Sequence, residues 1–298
     1  MLENPSLNSR IEIDPDSIHR MVSRMPKLLP GTRALLIVNG LFFVATYMVP
    51  NMESAMIAWF ALFFPMNDHF QVWQFASSLF MHGGLLHLFF NMFALYSFGT
   101  ILETLWGTRK FIAFYFIVGI GAGLIYLGVN YYQFNNVYSE LIELGLKPIE
   151  IQHRLDAINL LFDRNLQPSN YQRFLDDGSH LLKIGDQISE KNISILFRNY
   201  STPVVGASGA IYGILVAFGM MFPNAKLALL FIPVPIAAKY FIPALLLFDL
   251  FSGVTGFSVF GGNIGHFAHI GGAIIGFLLM LYWKPNSKIG NDFLRTPN

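Results

Sequence analysis

The chain has 298 residues and no cysteine, which excludes a disulfide framework, a thiolate nucleophile and any Cys-ligated metal. It is also poor in charge. Asp, Glu, Lys and Arg make up 12% of the residues, against about 25% in an ordinary soluble domain, while hydrophobic residues reach 54%. The formal net charge of +1 offers nothing to attract a nucleic acid, and none is expected as a partner. Eight histidines leave a His-based metal site formally open, but no HExxH or similar ligand pair shares a helix face, so neither a metal nor a cofactor is expected. What the chain does have is apolar length. With 30 Phe and a positive mean hydropathy, it can form a bundle of roughly six membrane spans, with the lipid bilayer as solvent.

Hydrophobic runs predict spans near residues 34–50, 75–102, 111–131, 205–222, 237–251 and 264–283. Residues 1–33 are polar, mixed in charge and too acidic for a signal-peptide n-region, so the first span is expected to be a retained anchor. The apolar piece 55–65 is too short to cross and suits an embedded or interfacial loop. Pro233 and Pro235 should stop any helix continuing from Leu227. The expected architecture is therefore an all-α membrane protein: a polar N-terminal segment (1–33), a six-helix membrane domain (34–283) and a C-terminal tail (284–298).

Between the third and fourth spans, residues 132–203 form an insert. Its stretch 135–198 holds seven basic and nine acidic residues, and apolar positions recur at helical spacing (Ile151, Leu155, Ile158, Leu161, Phe162). It is expected to be a helical extramembrane insert without chemistry of its own. The other twelve of the 19 Lys and Arg fall before span one, between spans two and three, between four and five, or after six. Because a long loop translocates regardless of its charge, both termini are expected on the cytoplasmic side and the insert outside. A bacterial inner membrane is the expected location.

Spans two, four and six then all enter from the exterior, which brings His87, Ser208 and His269 to one depth. Ionisable groups in membrane helices are costly and mark function. A serine hydroxyl needs a base within hydrogen-bond reach, and imidazole is the usual one near neutral pH. Ser208 sits between Gly206 and Gly209, which permit close backbone approach and leave the Ser208 N–H free for an oxyanion. Tyr212, four residues on, shares its face and can lie against the His269 ring. His87 and Asn91, also four apart, can both donate toward an oxyanion. Asp249 and Glu103 are expected at span ends away from His269, so a Ser208–His269 dyad is expected and not a triad. Small-residue spacings such as Gly209-xxx-Gly213 also serve helix packing.

At these residues the sequence resembles the rhomboid family of intramembrane serine proteases. Gly206-Ala207-Ser208-Gly209 with Tyr212 and Gly213 is similar to the family's GxSGxxxG box, Ala268-His269-Ile270-Gly271-Gly272 to its last-helix motif, and His87 with Asn91 to its HxxxN. Gly99-xxx-Glu103-xxx-Gly107 resembles a structural GxxxExxxG. The resemblance implies Ser208 as nucleophile, His269 as general base, Tyr212 packing on it, and His87 and Asn91 lining the oxyanion hole. It also implies an embedded first loop at 55–65 and substrates that are transmembrane proteins. Trp73-Gln74 stands where the family often has Trp-Arg. A glycine-bearing loop, 252–263, suits a lid over the mouth. Two alternatives stay open: a rhomboid-like pseudoprotease that binds membrane proteins without cutting, and a small transporter. The first usually loses Ser or His, and the second would spread its polar residues through the full depth.

Overall fold

The computed structural model describes residues 28–165, 190–229, 232–257 and 265–283. The remainder of the expected N-terminal segment, the C-terminal tail, the middle of the insert and residues 258–263 of the expected lid lie outside the described residues. Helix α1 (Pro30–Tyr47) opens on proline, whose missing N–H would have had no helical acceptor there. Helix α2 (Glu53–Phe60) occupies the apolar piece expected not to cross, and its 8 residues cannot span a bilayer.

The loop after α2 is gathered by Gln74, a fully buried residue. Its Oε1 accepts from the N–H of Phe63 (3.2 Å) and Gln71 (3.1 Å), and its Nε2 donates to the carbonyls of Ala58 (3.1 Å) and His69 (2.8 Å). A neutral amide thus ties the loop, and no buried charge has to be matched.

The second expected span is broken. Helix α3 (Gln74–Ser77) runs into a 3₁₀ turn (Ser78–Phe80), and the Gly83-Gly84 pair interrupts the helix before α4 (Leu85–Ala94). A π turn (Leu95–Gly99) then leads to α5 (Thr100–Trp106). Helix α6 (Thr108–Glu143) has 36 residues and continues well past the expected end of span three into the insert. There follow α7 (Pro148–Asn165), α8 (Glu190–Ser201) and the 14-residue α9 (Ser208–Met221). A two-stranded antiparallel sheet, β1 (Lys226–Leu229) with β2 (Ile232–Ala237), takes up the proline-bearing segment. Helix α10 (Ala238–Thr255) ends on left-handed Gly256 (φ 76°), the residue type that closes a helix without strain. Helix α11 is His266–Trp283.

Among the described residues, four helical segments are long and apolar enough to cross a membrane: Leu85–Trp106, α6, α10 and α11, with α9 apolar but shorter. Their outward faces are apolar, as at Leu86 (72% exposed) and Leu247 (66%), a surface that water would not tolerate over this extent but lipid does.

Two cores result. In the first, α6, α9 and α11 approach backbone to backbone. A Cβ on Gly272 would lie 1.9 Å from the Gly209 carbonyl oxygen, and one on Gly276 2.6 Å from the Gly213 Cα. The second core joins the loop after α2 to the insert: Phe63, Phe64, Phe134, Leu155, Phe197 and Tyr200 are all buried in it. Leu62 and Val204 exchange backbone hydrogen bonds (3.0 and 2.9 Å), and the Asn67 side chain donates to the Tyr200 carbonyl (3.0 Å). The insert is therefore docked on the first loop.

Far from this region in sequence, buried Glu103 accepts from the N–H of Gly31 (2.8 Å) and Thr32 (2.7 Å) and from the hydroxyls of Thr32 and Thr108 (both 2.7 Å). One carboxylate thereby serves the first turns of both α1 and α6, where a negative group is stabilising.

Candidate active site

Ser208 is the first residue of α9. Its N–H therefore has no acceptor within the helix, and the positive end of the helix dipole lies beside it. The approach to it is set by two strand-like contacts. After the Leu62–Val204 bridge, the Gly206 N–H donates to the Ser78 carbonyl (2.9 Å). Gly206 has φ 127°, a conformation that a side chain would strain, and a Cβ there would lie 2.9 Å from both Cε1 and Nε2 of His87. The same point is 3.5 Å from Ser208 Oγ, so His87 and the serine flank one glycine.

Helix α11 supplies the partner. His269 Nε2 lies 2.8 Å from Ser208 Oγ, a full hydrogen bond across 61 positions of sequence. The Tyr212 ring stacks on the imidazole with centroids 4.2 Å apart and planes within 11°. The close approach of α9 and α11 through Gly209, Gly213, Gly272 and Gly276 is what makes this reach possible.

The expectation that no carboxylate orients His269 is overturned. Asp249 of α10 is buried (3% exposed), and its Oδ1 lies 3.2 Å from His269 Nδ1 and 2.6 Å from His266 Nδ1. The Tyr212 hydroxyl donates to its Oδ2. The physical reason is helix length. Helix α10 runs on to Thr255, past the expected end at residue 251, and holds Asp249 firmly on its inner face. Neither Asp249 nor His266 was singled out as a site residue, although a signal existed: a span running outward ends at the depth where the next begins.

His87 and Asn91 share a face of α4 as the spacing requires, but their side chains differ in use. The Gly83 N–H points at His87 Nδ1 (3.4 Å), which leaves the proton on Nε2, the nitrogen beside Gly206. The buried Asn91 amide donates to the His87 carbonyl of its own helix (2.9 Å) and has one further N–H. Asp249, His266 and His269 also offer ligand atoms within 4.8 Å of one another, a spacing that a metal ion could use.

The arrangement contains what acyl transfer requires: a hydroxyl bonded to an imidazole, the imidazole held on its other nitrogen and on its face, and donors beside the hydroxyl. The Rhomboid domain family matches residues 69–137 and 184–285, over half the chain, and the gap between the two stretches falls within the insert. A mitochondrial protein of Schizosaccharomyces pombe described as an uncharacterized rhomboid protein is 26% identical over 220 residues, covering 72% of this chain and 52% of its own length. Rhomboid protein 1, mitochondrial, of Saccharomyces cerevisiae is 26% identical over 69% of this chain and 40% of its own. Rhomboid protease AarA of Providencia stuartii is 31% identical over 107 residues, 35% of this chain and 38% of its own. The chain thus spans about half or less of the length of these curated relatives. Two of them are named as mitochondrial, so the comparisons give the expected bacterial inner membrane no support.

Proposed function

This chain belongs to the rhomboid family of membrane proteins, and on that premise we propose that it is an intramembrane serine endopeptidase. Its substrates are transmembrane segments of other membrane proteins. The observation that carries the reading is the 2.8 Å contact between His269 Nε2 and Ser208 Oγ. Ser208 Oγ attacks the scissile carbonyl while His269 takes its proton, and the resulting imidazolium passes that proton to the leaving amine. Water, with His269 again as base, hydrolyses the acyl-enzyme and restores the serine. The oxyanion is held by the Ser208 N–H and by His87 Nε2–H, with the second N–H of Asn91 within the same helix turn as His87. A non-cleaving rhomboid-like binder is the less favoured alternative, because both members of the Ser208–His269 pair are present and bonded to each other.

The proposed topology has six crossings: α1, the broken α3–α5 segment, α6, α9, α10 and α11. Both termini are cytoplasmic, the loop around α2 is embedded, and the insert is exterior. The deciding experiment is labelling by a fluorophosphonate probe together with cleavage of a transmembrane substrate, comparing wild type with Ser208→Ala and His269→Ala. Labelling that survives in Ser208→Ala would remove the assignment. The absence of native cysteine permits a second test: Ser169→Cys and Ser194→Cys should react with an impermeant maleimide in intact cells. Protection of both until lysis would reverse the orientation.

A further inference from the structure

Three donors converge on the buried Asp249 carboxylate: the Tyr212 hydroxyl on Oδ2, and the Nδ1 atoms of His266 (2.6 Å) and His269 (3.2 Å) on Oδ1. Among the described residues no Lys or Arg is paired with it. We propose that Asp249 is a positioning residue that fixes His269 in the one tautomer able to accept the Ser208 proton, and that His266 competes with His269 for the same carboxylate oxygen. The inference rests on the Ser208–His269 reading above.

An ionised carboxylate only accepts hydrogen bonds, so Nδ1 of His269 must carry the proton when it faces Asp249. A neutral imidazole has one proton. Nε2 is then a bare lone pair, and it is the atom 2.8 Å from Ser208 Oγ. Tyr212 adds a second restraint through the same group. Its ring lies flat on the imidazole and its hydroxyl is anchored on Asp249, so one carboxylate fixes the base along its edge and across its face.

His266 lies one helical turn before His269 and makes the shorter of the two contacts to Oδ1. Its ring stands edge-on to that of His269, with centroids 6.3 Å apart, and no described hydrogen bond joins it to Ser208 or to His269. Two donors on one oxygen weaken each other, since the first reduces the negative charge available to the second. Removing the His266 donor should therefore tighten the Asp249–His269 bond and leave the chemistry intact. The two histidines have opposite relations to one acid.

The test uses the full chain in detergent or bilayer, with Ser208→Ala run in parallel. Asp249→Asn is nearly isosteric, but its amide can turn an N–H toward His269 Nδ1 and so favour the tautomer with Nε2 protonated. The equivalent change in a soluble Ser-His-Asp protease costs about 10⁴ in kcat. With the carboxylate shared among three donors and the His269 contact at 3.2 Å, the loss expected here is about 10²-fold in kcat and in fluorophosphonate labelling. KM should be unchanged, because Asp249 does not meet substrate. Asp249→Glu should recover part of the loss, and His266→Phe should react at or above the wild-type rate.

A merely structural carboxylate would lower the melting temperature and the labelled fraction while the remaining folded enzyme kept its kcat, and that result overturns the proposal. So does wild-type kcat in Asp249→Asn, or a 10²-fold loss in His266→Phe. Loss of labelling on dialysis against EDTA would equally overturn it, by making the cluster a metal site. If Ser208→Ala itself remains labelled, it is the protease reading that fails, and the two failures stay distinguishable.

Discussion

Where α9 meets α11, a single methyl on Gly272 would fall 1.9 Å from a backbone oxygen; where α6 meets α8, the contact is Phe134 against Tyr200 with ring centroids 6.3 Å apart. The first interface is built by removing side chains and the second by enlarging them. Between helices surrounded by lipid, apolar area gives no advantage, because the tails are as apolar as the protein, so close backbone contact is what holds the helices. In the core shared by the insert and the first loop, the proposed placement of the insert outside the membrane makes burial of large rings out of water stabilising, at roughly 25 cal/mol per Å². The Ser208–His269 pair sits in the glycine interface and the loop leading to Ser208 in the aromatic one, so the two kinds of packing meet at the serine.

The contrast can be broken most severely at Gly272. Gly272→Ala must push two backbones apart, and neither has a flexible side chain to yield. We expect a destabilisation at or beyond the roughly 3 kcal/mol upper range of ordinary overpacking, with Ser208 labelling and substrate cleavage both lost. A thermal-shift assay in detergent with parallel labelling checks this, and a normally active variant would refute the backbone contact.

Phe134→Ala in the aromatic core should cost about 3 kcal/mol in stability and lower turnover, yet leave Ser208 reactive, because the bond to His269 lies in the other core. Equal loss of labelling in Phe134→Ala and Gly272→Ala would mean that the two cores are not separable. A subtler probe is Asn67→Ala, which removes the side chain's hydrogen bonds with the Tyr200 carbonyl and the His69 N–H and should cost about 1–2 kcal/mol with near-normal cleavage. The smallest effect sharpens the comparison from the opposite side. A Cβ at Gly128 meets nothing within 4 Å, so Gly128→Ala should be neutral in activity and stabilising by up to about 1 kcal/mol from helix propensity alone. Loss of activity there would show that glycine position within the membrane helices is not decided by contact.

Ser208, His269 and Tyr212 were legible because their signals are local: a serine between glycines, an aromatic one turn on, and a lone histidine in an apolar run. The depth argument then joined them, and the 2.8 Å contact agrees with it. Asp249 was missed because the same argument was applied to helix entries and not to exits, and because the apolar run fades before α10 ends. The break at Gly83-Gly84 and the π turn at Leu95–Gly99 were hidden by uninterrupted hydropathy, which reports burial and not backbone geometry. The pairing of Leu62 with Val204 and the docking of the insert depend on contacts between distant segments, which no local periodicity encodes. The insert, expected to carry no chemistry of its own, shares a core with the first loop. Its helix α8 leads by a short segment to Gly206 and Ser208.

Glu103 has a consequence for the order in which the molecule can be completed. Its carboxylate holds the first turn of α1 from a position 71 residues later in the chain, and the first turn of α6 from just before it. During synthesis α1 emerges well before Glu103 exists, so its opening N–H groups must wait for this partner. Once the glutamate arrives, one residue fastens two helix starts at the same moment, and α6 begins already moored to α1. Glu103→Gln keeps the shape but not the charge, so its defect should appear as slow or incomplete maturation of newly made protein and not as a slower chemical step.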